Sequence, residues 1–153
     1  MDQFYDALVN ENKNMLIPEE LDFFGKLIGS WKITYLDNSN SSLLHGEWHF
    51  ARILEGMAIQ DVIVLPNFEY GTTLRIYNPN KNIWDIVYCY TGRVIRLEAR
   101  KENGMIILTN IEDARKKWVF VKIENDKFHW QDILVDEHGK WDVKYDLFAE
   151  RIM

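Results

Sequence analysis

The run Ile83-Trp84-Asp85-Ile86-Val87-Tyr88-Cys89-Tyr90, followed two residues later by Arg93-Val94-Ile95-Arg96-Leu97-Glu98-Ala99-Arg100-Lys101, decides the fold. Trp84, Ile86 and Tyr88 share one side of an extended chain, while Ile95, Leu97 and Ala99 oppose Arg96, Glu98 and Arg100. A period of two marks a strand with one buried face, whereas a helix brings apolar residues back every three or four positions. A gap this short holds no crossover, so the two strands run antiparallel.

The same alternation recurs on both sides, with strands expected at 30–37, 43–53, 57–65, 70–77, 83–90, 93–101, 104–110, 116–124, 127–135 and 140–151. Turn chemistry separates them at Asp37-Asn38-Ser39-Asn40, Glu55-Gly56, Pro66-Asn67, Asn78-Pro79-Asn80, Glu102-Asn103-Gly104, Glu124-Asn125-Asp126 and Glu137-His138-Gly139. A parallel α/β fold is thereby excluded. An antiparallel meander of about ten strands buries its backbone edges by closing on itself, so the fold class is an all-β barrel. Barrels of this size enclose room for one small molecule.

Face assignments follow from the pattern. Trp31, Ile33 and Tyr35 oppose Lys32 and Thr34, and Leu44, Trp48 and Phe50 oppose His45, Glu47 and His49. Trp141, Val143, Tyr145 and Leu147 oppose Asp142, Lys144 and Asp146. Strands 57–65 and 70–77 are apolar on both faces, so their inner face stays open. Residues 1–18 are polar and Asn-rich with apolar anchors at Phe4, Leu8 and Leu16, and form either an arm or a short helix packed outside the barrel domain over 19–153. Pro18-Glu19-Glu20 suits a helix start, and Leu21, Phe24, Leu27 and Ile28 give it one apolar stripe before Gly29 ends it. This short N-terminal helix is placed to plug one mouth of the barrel.

Bulk properties narrow the function. Apolar residues make up 47% and charged residues 27% of 153 residues, which suffices for one core. Six Trp, seven Tyr and eight Phe, 14% in all, either fill the barrel or line a cavity. The net charge is −6 and the basic residues are scattered among acids, with Arg115-Lys116-Lys117 read as a solvated turn, so neither nucleic acid nor an anionic membrane is an expected partner. Met1-Asp2-Gln3-Phe4 carries no secretory signature, and no run has the roughly 18 apolar residues of a membrane span, so a cytoplasmic location is expected. The single Cys89 sits in an apolar run and reads as a small buried hydrophobe. A homodimer is the default among soluble oligomers.

Gly29-Ser30-Trp31 opens the first strand and Arg151 closes the last, and these strands are neighbours in a closed barrel. A guanidinium over the indole would lock the seam by a cation–π contact of about 0.5–2 kcal/mol. In these residues the chain resembles the lipocalin, or calycin, superfamily. Gly46-Glu47-Trp48-His49-Phe50, the run Leu54-Glu55-Gly56-Met57-Ala58-Ile59-Gln60-Asp61-Val62, and Gly71-Thr72-Thr73-Leu74-Arg75-Ile76-Tyr77-Asn78-Pro79 extend the likeness. With Trp118, Phe128, Trp130 and Trp141, they are similar to a bacterial lipocalin-like family known as a domain of unknown function. The resemblance implies the barrel; it brings no activity.

Polar residues on apolar faces are the functional clue, since burying one unpaired costs several kcal/mol. Asp132 shares a face with Phe128, Trp130 and Leu134, and Asp61 shares one with Ile59 and Ile63. Tyr35, Tyr88 and Tyr145 put hydroxyls on inward faces, and Arg75 and Tyr77 join them if the ambiguous strand faces that way. Either these groups satisfy one another through internal contacts and waters, or they form a pocket in which Arg75 holds an anionic group while Gln60 and the tyrosines orient it. In the second case Trp48, Trp84, Trp118 and Trp130 are its walls, and Arg75, Tyr77, Asp61, Asp132 and Tyr88 orient a small, partly apolar ligand.

His45, Glu47 and His49 share a strand face, but the outer two are about 13 Å apart and the row faces solvent, so no metal site is assigned. His129, on the face opposite Trp130, is the candidate haem ligand, without further support. No nucleophile elbow, phosphate loop or dinucleotide fingerprint appears, and no cofactor is expected. The alternatives to a binding protein are an enzyme of isomerase, cyclase or decarboxylase type, with Asp61 or Asp132 as the base, and a self-associating module whose fully packed barrel holds no ligand.

Overall fold

The computed structural model describes residues 2–153, so Met1 of the expected arm lies outside it. Its strands are β1 Gly29–Asp37, β2 Ser42–Ile53, β3 Ala58–Leu65, β4 Glu69–Asn78, β5 Ile83–Tyr90, β6 Arg93–Glu102, β7 Met105–Asn110, β8 Lys116–Ile123, β9 Lys127–Val135 and β10 Trp141–Arg151. Each pairs antiparallel with its sequence neighbours, and β10 returns to β1 to close the barrel. No helix among the described residues is long and apolar enough to cross a membrane. Pairing settles the two ambiguous strands: Asp61 lies opposite Thr73 and Ile63 opposite Gly71. The inner rows are thus Ile59, Asp61, Ile63 and Leu65 on β3, and Glu69, Gly71, Thr73, Arg75 and Tyr77 on β4.

One end of the barrel is shut, though not by the expected helix over 18–28. The α-helix among the described residues is α1, Asp2–Leu8, and residues 18–28 instead carry two single 3-10 turns, Glu19–Leu21 and Gly25–Leu27. Arg52 on the rim draws Asp22 into a two-pronged ion pair at 3.2 and 2.8 Å, which holds the backbone to the rim between the two turns. Gly25 sits so close that a Cβ would lie 2.3 Å from Asp22 Oδ2 and 2.6 Å from Arg52 Nη2. The apolar stripe still reaches the mouth: Ile17, Phe24 and Leu27 are fully buried. Two indoles tie the plug down, Trp31 Nε1 donating to the Leu27 carbonyl at 2.8 Å and Trp84 Nε1 to that of Leu21 at 2.7 Å.

The seam between β1 and β10 is locked by Arg151. Its guanidinium lies 4.2 Å from the Trp31 ring and donates to the carbonyls of Ile28 at 2.7 Å, Lys26 at 2.9 Å and Asn125 at 2.7 Å. Gly29 must be glycine beneath it, because its φ is +124° and a Cβ would meet Arg151 Nη1 at 2.6 Å.

Two register shifts break the simple alternation, between Phe120 and Lys122 on β8 and between Val143 and Tyr145 on β10. The second overturns the single face expected for the last strand. Tyr145 lines the interior and Leu147 joins the main core, whereas Trp141 and Val143 turn outward onto a separate cluster of Ile107, Val119 and Ile133. A bulge places an extra residue on one strand and so moves the residues beyond it to the other face. Arg151→Lys keeps the charge but not the three-pronged fork, and is expected to lower the urea unfolding free energy by about 1–3 kcal/mol. Unchanged unfolding midpoints for both Arg151→Lys and Arg151→Ala would contradict the seam lock.

Candidate functional site

Halfway along the barrel, β3 and β4 place Asp61 and Arg75 diagonally on the inner wall, and Arg75 Nη2 donates to Asp61 Oδ2 at 2.6 Å. Both side chains are buried, at 0% and 2% exposure. Phe24, Phe50 and Phe120 surround the guanidinium at 4.8, 5.7 and 5.6 Å. Burial pushes the Asp61 carboxyl up from its ordinary range, and Arg75 opposes that shift. Arg75 Nε and Nη1, Asp61 Oδ1 and Trp48 Nε1 have no protein partner of good geometry. The Trp48 N–H is still near enough to the Asp61 carboxyl to favour its charged form.

Above this pair the barrel is hollow. A cavity of about 240 Å³ opens toward the turns after β1, β3, β5, β7 and β9. Its walls are Tyr35, Trp48, Tyr88, Trp118, Trp130 and Tyr145, with Ile63, Thr73 and Leu147 between them. The rings hold one another in place: Tyr35 stacks on Tyr145 at 5.0 Å, Trp118 meets Trp130 at 6.0 Å and Tyr88 stands edge-on to Trp118 at 5.4 Å. Gly71 makes room for the Tyr88 ring, since a Cβ there would lie 2.5 Å from the Tyr88 hydroxyl.

Two carboxylates stand at the mouth. The Tyr88 hydroxyl donates to Glu69, and Asp132 is paired in register with Trp118 on β8 and Tyr145 on β10. Burial pushes the Asp132 carboxyl up to about 6; Trp118, Arg93 and Lys116 pull it back, and Glu69 adds to the rise. Burial raises Glu69 as well, eased by Arg93. Tyr35 is raised by burial and then by the charges of Asp132 and Glu69, so its hydroxyl keeps its proton and is a donor.

Of the residues singled out in the sequence, Trp48, Arg75, Tyr88, Trp118, Trp130 and Asp132 line this chamber, with Asp61 beneath them as the partner of Arg75. Three others lie elsewhere. Gln60 is on the outer face, donating to Thr72 Oγ1 at 3.0 Å, because Asp61 takes the inward position next to it. Tyr77 and Trp84 pack together at 5.7 Å in the shut end, below the ion pair. The charge of Arg75 is already matched by Asp61, so Arg75 is a poor anchor for an anionic ligand. Glu69, Phe68, Thr73, Tyr90 and Arg93 complete the chamber and were missed. Counting back in twos from Arg75 reaches Thr73 and Glu69, so part of that signal was present.

The histidines lie on the outer wall. His49 bridges Ser30 Oγ at 2.7 Å and Glu47 at 2.9 Å, and His129 contacts Asp146 at 2.6 Å while stacking on Phe148. None of them lines the chamber, and no three metal-ligating side chains cluster among the described residues. Cys89 is half-buried opposite Thr72 and Val94, less enclosed than its apolar run implied.

No protein-family model and no curated protein matches the chain. Among solved structures, a redesigned beta barrel aligns over 84% of this chain and 93% of its own, with a TM-score of 0.44 and 12% identity.

Removing one partner of a buried ion pair strands the other, so Arg75→Met and Asp61→Leu are each expected to cost about 3–5 kcal/mol. The double variant should cost less than the sum, as a double-mutant cycle in urea would read. Asp132 carries an opposite sign. Its folded pKa of about 6 lies above the ordinary 3.8, so ionisation weighs on the folded state above that pH and vanishes once both states are protonated. Asp132→Asn is therefore expected to stabilise the protein by about 1–3 kcal/mol near pH 7.5, with the gain fading toward pH 4 in parallel melts.

Proposed function

We propose that the protein binds a small, partly apolar molecule with a polar end inside the open half of the barrel. One observation carries this reading: an open chamber walled by aromatic rings holds the Tyr35 and Tyr145 hydroxyls and two carboxylates, Glu69 and Asp132, that no ion pair among the described residues neutralises. A barrel selected for stability alone would fill that space, because buried polar groups cost free energy and packed rings gain it. The likeness to lipocalin-like proteins supports the same reading, since barrels of this size suit a single small guest.

A second reading uses the same residues. Asp132, with a carboxyl near 6 and beside Tyr35 and Tyr145, is placed to take a proton from a bound substrate and return it to another atom, as an isomerase requires. Chemistry of that kind would leave the guest altered, whereas a carrier returns it unchanged.

Native mass spectrometry of freshly purified protein, set beside its denatured mass, tests the proposal. The expected result is an additional small-molecule mass that leaves on denaturation, and incubation with the released compound would separate carrier from enzyme. A bare native mass, together with tryptophan emission unmoved by a library of small aromatic compounds, would contradict it.

A further inference from the structure

The chamber's charges select among guests, and this step rests on the binding reading above. We infer that the guest is an amine: a protonated primary or secondary ammonium at the mouth between Glu69 and Asp132, on an aromatic or short alkyl body.

The mouth carries this inference. Glu69 and Asp132 reach the same cavity from β4 and β9, near enough for the Glu69 charge to act on Asp132, and Tyr35 feels both. Neither carboxylate has an ion-pair partner within 4.0 Å among the described residues. Arg93 eases both from the exposed rim, where its guanidinium lies 5.9 Å from the Tyr88 ring, and Lys116 and Lys144 act on Asp132 from its outer side. An anionic guest would add a third negative charge to this space, and a neutral one would leave two desolvated carboxylates with only the more distant charges of Arg93, Lys116 and Lys144 to offset them. An ammonium gives them one, and the tyrosine and tryptophan faces around it attract a cation further.

The floor adds little selection of its own. Trp48 is 4% and Arg75 2% exposed; both line the chamber, and the indole N–H and two guanidinium nitrogens make no protein hydrogen bond of good geometry, but they are fully buried with the Asp61 carboxyl beside them. A guest carboxylate gains nothing there, because Asp61 already neutralises Arg75.

Calorimetric titration with three near-isosteric probes tests this: 2-phenylethylamine, 2-phenylethanol and 3-phenylpropanoate. At about pH 7.5 the amine is expected to bind at least roughly tenfold tighter than either competitor, the scale of a hydrogen bond to a charged group. Its affinity should fall toward about pH 5 as Asp132 and Glu69 gain protons, while that of the alcohol stays level. Asp132→Asn and Glu69→Gln should each erase the preference. Arg93→Ala, on the exposed rim, should tighten amine binding by removing a competing cation. Equal or tighter binding of the alcohol or acid, or no gain in Arg93→Ala, overturns the amine and leaves the chamber a binding site. If none of the three probes binds, the amine is overturned, and a bare native mass would then remove the binding reading as well.

Discussion

A guanidinium and a carboxylate held 2.6 Å apart at mid-barrel divide this protein into two halves with different physics. Neither charge can stay there alone, since stranding one would cost several kcal/mol. The pair is therefore fixed in place by its own isolation and by the phenylalanines around it. Below it the interior is shut by Phe24, Leu27 and Trp84 and behaves as an ordinary core. Above it the rings stand back from one another and enclose space.

This division lets one half stabilise what the other half spends. The shut end gathers the plug, the two indole hydrogen bonds and the Arg151 seam, all far from the mouth. The open end carries features that stability alone would remove: desolvated carboxylates, tyrosine hydroxyls facing a cavity, and an indole N–H with no well-aligned partner. Strain of this kind collects where a fold does something besides persist. The arrangement also explains why the wall residues are aromatic. Large rings that brace one another edge-on keep a cavity open without flexible side chains falling into it.

The meander was legible because its alternation is strict in most strands, and every observed strand end falls within one residue of its expected place. Trp31 and Arg151 were readable as a seam because closure makes the first and last strands neighbours. Alternation could not reveal the bulge between Val143 and Tyr145, since an extra residue leaves the local pattern intact while reversing the face. The segment over 18–28 misled for a different reason: its apolar spacing suits a helix, but the Asp22–Arg52 pair, 30 positions apart in the chain, dictates the path. Asp61 and Asp132 stood out as acids on apolar faces. Gln60 did not belong with them, and Glu69 escaped notice because it sits at the very start of its strand.

Crystallography under xenon pressure tests most directly whether the open half of the barrel is a chamber. Xenon enters preformed apolar space and leaves packed cores empty. The account predicts xenon density among Tyr35, Trp48, Trp118 and Trp130, and none between Arg75 and Trp84. Rings collapsed onto one another with no xenon among them would contradict it.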